Sequence, residues 1–281
     1  MDDKRSQIWS VIKDTKTLPT LPGVIVKLNA MAGNDKATIQ EMARLVSSDQ
    51  VLSARVLRLV NSPSYGFYRV STISNAMILL GVDVVKSLAI SSSIFEVMEK
   101  SVVGLWEHSL GAGVTANVIA RKLQLPEPEE ISTAALLHDI GKVILKIKFS
   151  EEYDSIYARS GQGERSLLDL EQEVLTTDHA EVGGWLTRSW FLPDKLVEPI
   201  CCHHDVAASE QFQMKTAVVH LADILVKASG FGSSGDPFVP QIQNAAWEML
   251  GLNEQLLAEI VAEVEEKLVE TKNFSLELLS N

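Results

Sequence analysis

No stretch of this chain sustains strict apolar/polar alternation over the length of a strand, whereas apolar residues at helical spacing recur from end to end. That pattern predicts an all-α fold. Stop and start signals divide it into segments. Pro22 suits the first position of a helix carrying Val24, Ile25, Leu28 and Met31, with Gly33-Asn34-Asp35 as the turn that closes it. Thr38 and Glu41 have capping-box spacing, and the helix carrying Val51, Leu52, Leu59 and Val60 is expected to stop at Asn61-Ser62-Pro63. Gly81 marks another stop, followed by apolar segments over 84–98 and 105–123 and by a single, largely buried helix over 129–147. Asp178 and Glu181 again have cap spacing, ahead of Val182, Trp185, Leu186 and Trp190. Pro193 opens a helix expected to continue through Pro199 to His204, and another spans 215–228. The tract Gly230-Phe231-Gly232-Ser233-Ser234-Gly235 reads as a flexible loop. The tail over 253–269 is amphipathic, with Leu256, Leu257, Ile260, Val261, Val264 and Leu268 on one stripe.

At 281 residues, with 46% hydrophobic and 22% charged side chains, the chain can bury a core and is not a disordered scaffold. Its net charge of −12 repels phosphate backbones and anionic lipid, so neither direct nucleic-acid binding nor membrane attachment is expected. Cys201 and Cys202 are neighbours and cannot staple distant segments, and no apolar run approaches the ~18 residues that span a bilayer. A cytoplasmic location follows as the expectation. The residues that carry chemistry all lie in the second part, which places a boundary near residue 100 between a helical subdomain (1–100) and a helical bundle (101–281).

Six histidines, His108, His138, His179, His203, His204 and His220, lie in the C-terminal two-thirds. His138 is followed by Asp139, His203-His204 by Asp205, and His220 precedes Asp223 by three residues on one helix face. Any one of them alone reads as a core or capping residue. Together, imidazole and carboxylate suit zinc, iron, manganese or nickel better than calcium, which takes oxygen ligands.

His138-Asp139-Ile140-Gly141-Lys142 resembles the HDxGK signature of the HD-domain phosphohydrolase superfamily. DHAEVGGWLTRSWFLP, ICCHHD and VVHLADIL follow in the order of its HDOD branch, a relative of the HD-GYP cyclic-dinucleotide phosphodiesterases. LPTLPGVIVKL, SSDQVLSARVLRLVNSPSYG and ISNAMILLG also resemble HDOD segments, so the similarity runs from about Leu18 to Leu225. The resemblance implies an N-terminal helical bundle packed on an HD-like bundle. It assigns His108, His138, Asp139 and Asp223 to one divalent transition-metal ion, and Asp139, His179, His203 and His204 to a second. In it Asp139 bridges the ions, and Lys142 neutralises a substrate phosphate oxygen.

Many HDOD proteins lack part of this ligand set and act as signalling modules. The implied function is therefore a signalling or regulatory protein that retains a di-metal site, with a metal-dependent phosphohydrolase acting on a nucleotide or cyclic nucleotide as the alternative. The implied partners are a signalling protein or a nucleotide ligand. After His204 the sequence reads DVAASEQF, without the GYP tripeptide, which argues against cyclic di-GMP hydrolysis. Gly104 stands where some relatives place a glutamate for a third metal, so at most two ions are expected. His220 reads as a support for the ligands, the cysteines as packing behind the paired histidines, and Trp9, Trp106, Trp185, Trp190 and Trp247 as core. The acidic tail reads as a solvated helix, with a homodimer contact as the alternative.

Overall fold

The computed structural model describes residues 2–14, 24, 27–28, 31, 37–65 and 69–279. The turn expected at Gly33-Asn34-Asp35 and the helix start at Pro22 lie outside the described residues. Among those described, every regular element is helical and there is no strand. The capping chemistry accounts for several boundaries. Thr38 and Glu41 form the expected box at the start of α2 (Ile39–Ser47), and the Asp49 carboxylate accepts from Leu52 N at the start of α3 (Gln50–Val60). Asn61 ends α3 and clamps the following loop: its Nδ2 donates to Leu57 O at 2.7 Å and Val70 O at 2.9 Å, while its Oδ1 accepts from Val70 N at 2.8 Å. Gly81 stands between α4 (Ile73–Leu80) and α5 (Val82–Ser101), as its sequence signal predicted.

At the centre lies α6 (Leu105–Lys122), buried on nearly every face, and a helix without a solvated face must be surrounded by others. Its neighbours are α5, α7 (Pro128–Leu137), α13 (Gln213–Ser229) and α15 (Glu254–Leu279). One continuous apolar core runs from Ile8 to Leu268. The N-terminal helix α1 (Asp2–Asp14) packs on α11 (His179–Ser189), where Trp9 meets Trp185 edge-on at 5.1 Å and Arg5 pairs with Glu181. The first hundred residues are joined to the rest by polar contacts as well. Tyr65 and Thr133 hydroxyls lie 2.9 Å apart, and the buried Lys86 donates to Phe191 O at 2.9 Å.

Two expected helices end differently. The segment 129–147 is two helices, α7 and α8 (Ile140–Lys148), separated at His138 and Asp139. Sequence periodicity missed the break because apolar residues continue across it, while Asp139 offers no side-chain bond to the new helix N-terminus and turns its carboxylate elsewhere. Helix α12 (Asp194–Cys202) ends before the paired histidines, so His203 and His204 stand just past its C-terminus. Of the tryptophans, Trp106 and Trp190 are fully buried, but Trp9 is 43% exposed on the α1–α11 face.

The α8–α11 contact is close. A Cβ at Gly141 would overlap the carbonyl oxygen of His179 and stand 2.8 Å from Gly183 N, so only glycine lets these backbones approach. Gly141→Ala is therefore expected to lower stability by about 1–3 kcal/mol or more. Urea unfolding should show a lower midpoint at an unchanged m-value; a wild-type midpoint would contradict the close approach.

Candidate metal centre

The breaks and ends of five helices, with the buried face of a sixth, deliver the polar cluster. His108 comes from the first turn of α6, His138 and Asp139 from the α7–α8 break, His179 from the first residue of α11, His203 and His204 from just beyond α12, and Asp223 from the buried face of α13. The structure brings together the seven residues that the resemblance assigned to metal ions. His108 Nε2 lies 3.0 Å from Asp223 Oδ1, 3.3 Å from His138 Nε2 and 3.5 Å from Asp139 Oδ2. His138 Nε2 is 3.4 Å from each of the same two carboxylates. On the other side, His179 Nε2 lies 3.3 Å from Asp139 Oδ1 and 2.8 Å from His204 Nε2, and the His203 ring centroid lies 4.0 Å from that of His204, tilted by 44°. Asp139 thus faces both halves, one with each oxygen.

The outer nitrogens of His138, His179 and His203 are already committed. His138 Nδ1 donates to Ala135 O at 2.6 Å and His203 Nδ1 to Ile200 O at 2.8 Å; a carbonyl can only accept, so Nδ1 carries a hydrogen on both rings, and each presents its Nε2 lone pair to the interior when it is neutral. His179 Nδ1 donates to Glu171 Oε2 at 2.6 Å. Such outer bonds are what hold imidazoles in orientation for a metal. The inner atoms lack partners: His203 Nε2, Asp139 Oδ1 and Asp223 Oδ1 are buried without a hydrogen bond. Buried orphans of this kind are rare, and lone-pair nitrogens at 2.8 Å repel unless a proton or cation lies between them. Three donor groups have ligand atoms within 4.8 Å of one another: His179, His203 and His204; His108, His138 and Asp223; His138, Asp139 and His203. A nitrogen- and oxygen-rich set of this kind fits divalent transition metals.

Electrostatics point the same way. Burial lowers the pKa of His108, and burial with neighbouring histidines pushes His203 and His204 well down, so these rings are neutral. His138 is the exception: burial opposes its charge, but Asp139 and Asp223 outweigh it and raise its pKa to about 9. Burial alone would raise the carboxylates, yet His138 and Lys142 hold Asp139, and Lys227 with His108 and His138 hold Asp223, well below the usual range. Burial also works against Lys227, and Asp223, Asp139 and Asp236 outweigh it. Lys142 is fully buried, with Nζ 2.7 Å from Asp139 Oδ2 and 3.1 Å from Ser234 O.

Sequence reasoning missed several supports. Glu171, on α10 (Leu167–Leu175), accepts from both His179 N and Nδ1, and its other oxygen accepts from Tyr153 OH at 2.5 Å. Nothing local marks it, since it acts eight residues away across a turn. Lys227 was legible as a partner of Asp223 one helical turn earlier, at 3.1 Å. His220 supports the backbone, its Nδ1 donating to His203 O at 2.7 Å and its Nε2 accepting from Gln243 N at 3.1 Å. Cys201 packs against Gly184 rather than facing the cluster. The glycine-serine tract is fastened down: Ser233 N donates to Gly104 O at 2.9 Å, and a Cβ at Gly232 would overlap the amide of His108. Between this tract and α13, a cavity of about 150 Å³ adjoins the cluster on its His108 side.

Residues 18–206 match the HDOD domain family. An HDOD domain protein of unknown function from Geobacter sulfurreducens is 25% identical, with a TM-score of 0.71 over 96% of this chain and 98% of that one. A candidate phosphohydrolase from Shewanella amazonensis SB2B has the same fold at 23% identity, TM-score 0.68, over 97% of this chain and 98% of its own. An uncharacterized protein of Treponema pallidum (strain Nichols) is 24% identical over 218 residues, 75% of this chain; the match spans only 42% of that protein. No helix among the described residues is long and apolar enough to cross a membrane.

The Glu171 network can be probed without touching a ring. Tyr153→Phe leaves one buried Glu171 oxygen unpaired and is expected to cost about 1–3 kcal/mol. Chemical denaturation would read this directly, and an unchanged midpoint would mean that the bond carries no weight.

Proposed function

The chain belongs to the HDOD domain family, and from that premise we propose that it is a signalling or regulatory protein whose histidine–aspartate cluster is a two-metal centre. The observation that carries this reading is the set of inward-facing, unpartnered lone pairs on His203, Asp139 and Asp223, within rings whose outer nitrogens are already bonded. His108, His138, Asp139 and Asp223 would hold one divalent ion, and Asp139, His179, His203 and His204 the other. Iron, manganese, zinc and nickel all suit this donor set. Bound ions of this kind act as Lewis acids on phosphate oxygens and bring the pKa of water toward neutrality.

The chain's own residues set the terms for that centre. Glu171 orients His179; Lys142 holds Asp139 in place and ties it to the 230–235 tract through Ser234 O. The second reading, a metal-dependent phosphohydrolase acting on a nucleotide or cyclic nucleotide, is favoured by the cavity beside His108, because a purely structural centre is closed on all sides. In that reading Lys142 reaches a substrate oxygen once its bond to Ser234 O is released. Cyclic di-GMP is not the expected substrate, since the sequence after His204 lacks the GYP tripeptide.

Elemental analysis of the full chain purified without chelator is expected to find up to two transition-metal ions. Asp139→Ala should lose both, while His108→Ala and His204→Ala should each lose mainly one; circular dichroism should remain helical, because the apolar core does not depend on the metal. Failure to take up iron, manganese, zinc or nickel under any loading condition would overturn the proposal. Rapid cyclic di-GMP hydrolysis abolished by Asp139→Ala would instead establish the second reading.

A further inference from the structure

Lys227 is the side chain that neither the ligand set nor the family resemblance accounts for. It lies on α13 one turn after Asp223, with its side chain 5% exposed and Nζ 3.1 Å from Asp223 Oδ2. An ammonium group has three donors, and this oxygen is its one hydrogen-bond acceptor among the described residues. It lines the cavity of about 150 Å³ together with His108, Gly232, Ser234, Asp236 and Val239.

A fixed cation beside metal ligands repels the metal, so its presence calls for a compensating anion. The buried charges make the same demand. Asp139, Asp223 and Glu171 are opposed by Lys142 and Lys227, and two divalent ions would then leave the centre with a net positive charge that a buried site must neutralise. The cavity is the free volume adjoining both Lys227 and His108. Its size limits what can enter, since pockets for drug-sized ligands run to about 300–1,000 Å³ and a dinucleotide needs at least that. The one carboxylate on the rim, Asp236, is held by a local bond in which its Oδ1 accepts from Phe238 N at 3.1 Å. The floor is fastened at Ser233 N and Ser234 O, which fixes the cavity's shape.

We propose that this cavity binds a phosphate-sized anion, either inorganic phosphate or the terminal group of a small phosphate monoester, with Lys227 as its anion-binding residue and the 231–239 segment as the wall that excludes larger ligands. This rests on the two-metal reading above. Inorganic phosphate titrated calorimetrically into metal-loaded full-length protein tests it, with metal content measured on the same samples. Wild type should bind phosphate; Lys227→Met should weaken binding by about ten- to a hundredfold at unchanged metal content. Val239→Trp fills the mouth from a half-exposed position that tolerates bulk, and should block phosphate even if Lys227→Met fails to fold. Wild-type affinity in either folded variant, or a cyclic dinucleotide binding as tightly as phosphate, would overturn the inference. Metal uptake without phosphate binding overturns this inference alone, whereas no metal uptake overturns the two-metal reading as well.

Discussion

The arrangement of the cluster depends on the helix break at His138 and Asp139. Within an unbroken α-helix, consecutive side chains point about 100° apart, so two neighbours cannot converge on one point. Ending α7 at Leu137 and restarting at Ile140 frees both residues from that geometry. His138 then turns inward with Nδ1 on Ala135 O, and Asp139 places one oxygen toward His108 and the other toward His179. The restart is immediately followed by Gly141, whose missing Cβ lets α11 bring His179 to the same place. Two adjacent residues and one glycine thus tie three helices to a common point.

That convergence is costly to the folded chain. Unpartnered atoms of Asp139, His203 and Asp223 are fully buried there, and charged groups sit in a region of low polarity. The apolar core from Ile8 to Leu268 supplies the stability that the cluster does not. Among the described residues, the buried imidazole and carboxylate atoms without a hydrogen bond all lie at this point, which is the mark of a site kept for function. Glu171 and Tyr153 show the contrast, because their buried polar groups are fully paired and serve to hold a ring still.

The first hundred residues bear on the same region from two directions. Tyr65 reaches α7 through Thr133, on the helix that ends at His138, and Lys86 caps the carbonyl that follows α11 at Phe191. Helix α1 lies over α11 itself, with Arg5 on Glu181 and Trp9 on Trp185, in the helix that begins at His179. The N-terminal segments are therefore mechanically continuous with the helices that carry the cluster, through these contacts and the shared apolar core.

The sequence by itself determined the helical class, most boundaries and the identity of the cluster. The box at Thr38, the side-chain cap at Asp178 and the stops at Asn61 and Gly81 are local chemistry, set by residues within one turn of each other. The HDIGK and ICCHHD segments carry their residue types in plain view. Only the tertiary structure decided the rest. The break inside 129–147 is invisible to periodicity because the apolar pattern runs through it, and the tract at 230–235 has a loop's composition while its backbone is held by Gly104 and Lys142. Glu171 and Ser234 are drawn into the site by partners on other helices. Local chemistry is written in neighbouring residues, whereas the burial and long-range pairing that give these side chains their roles exist only once the helices have packed.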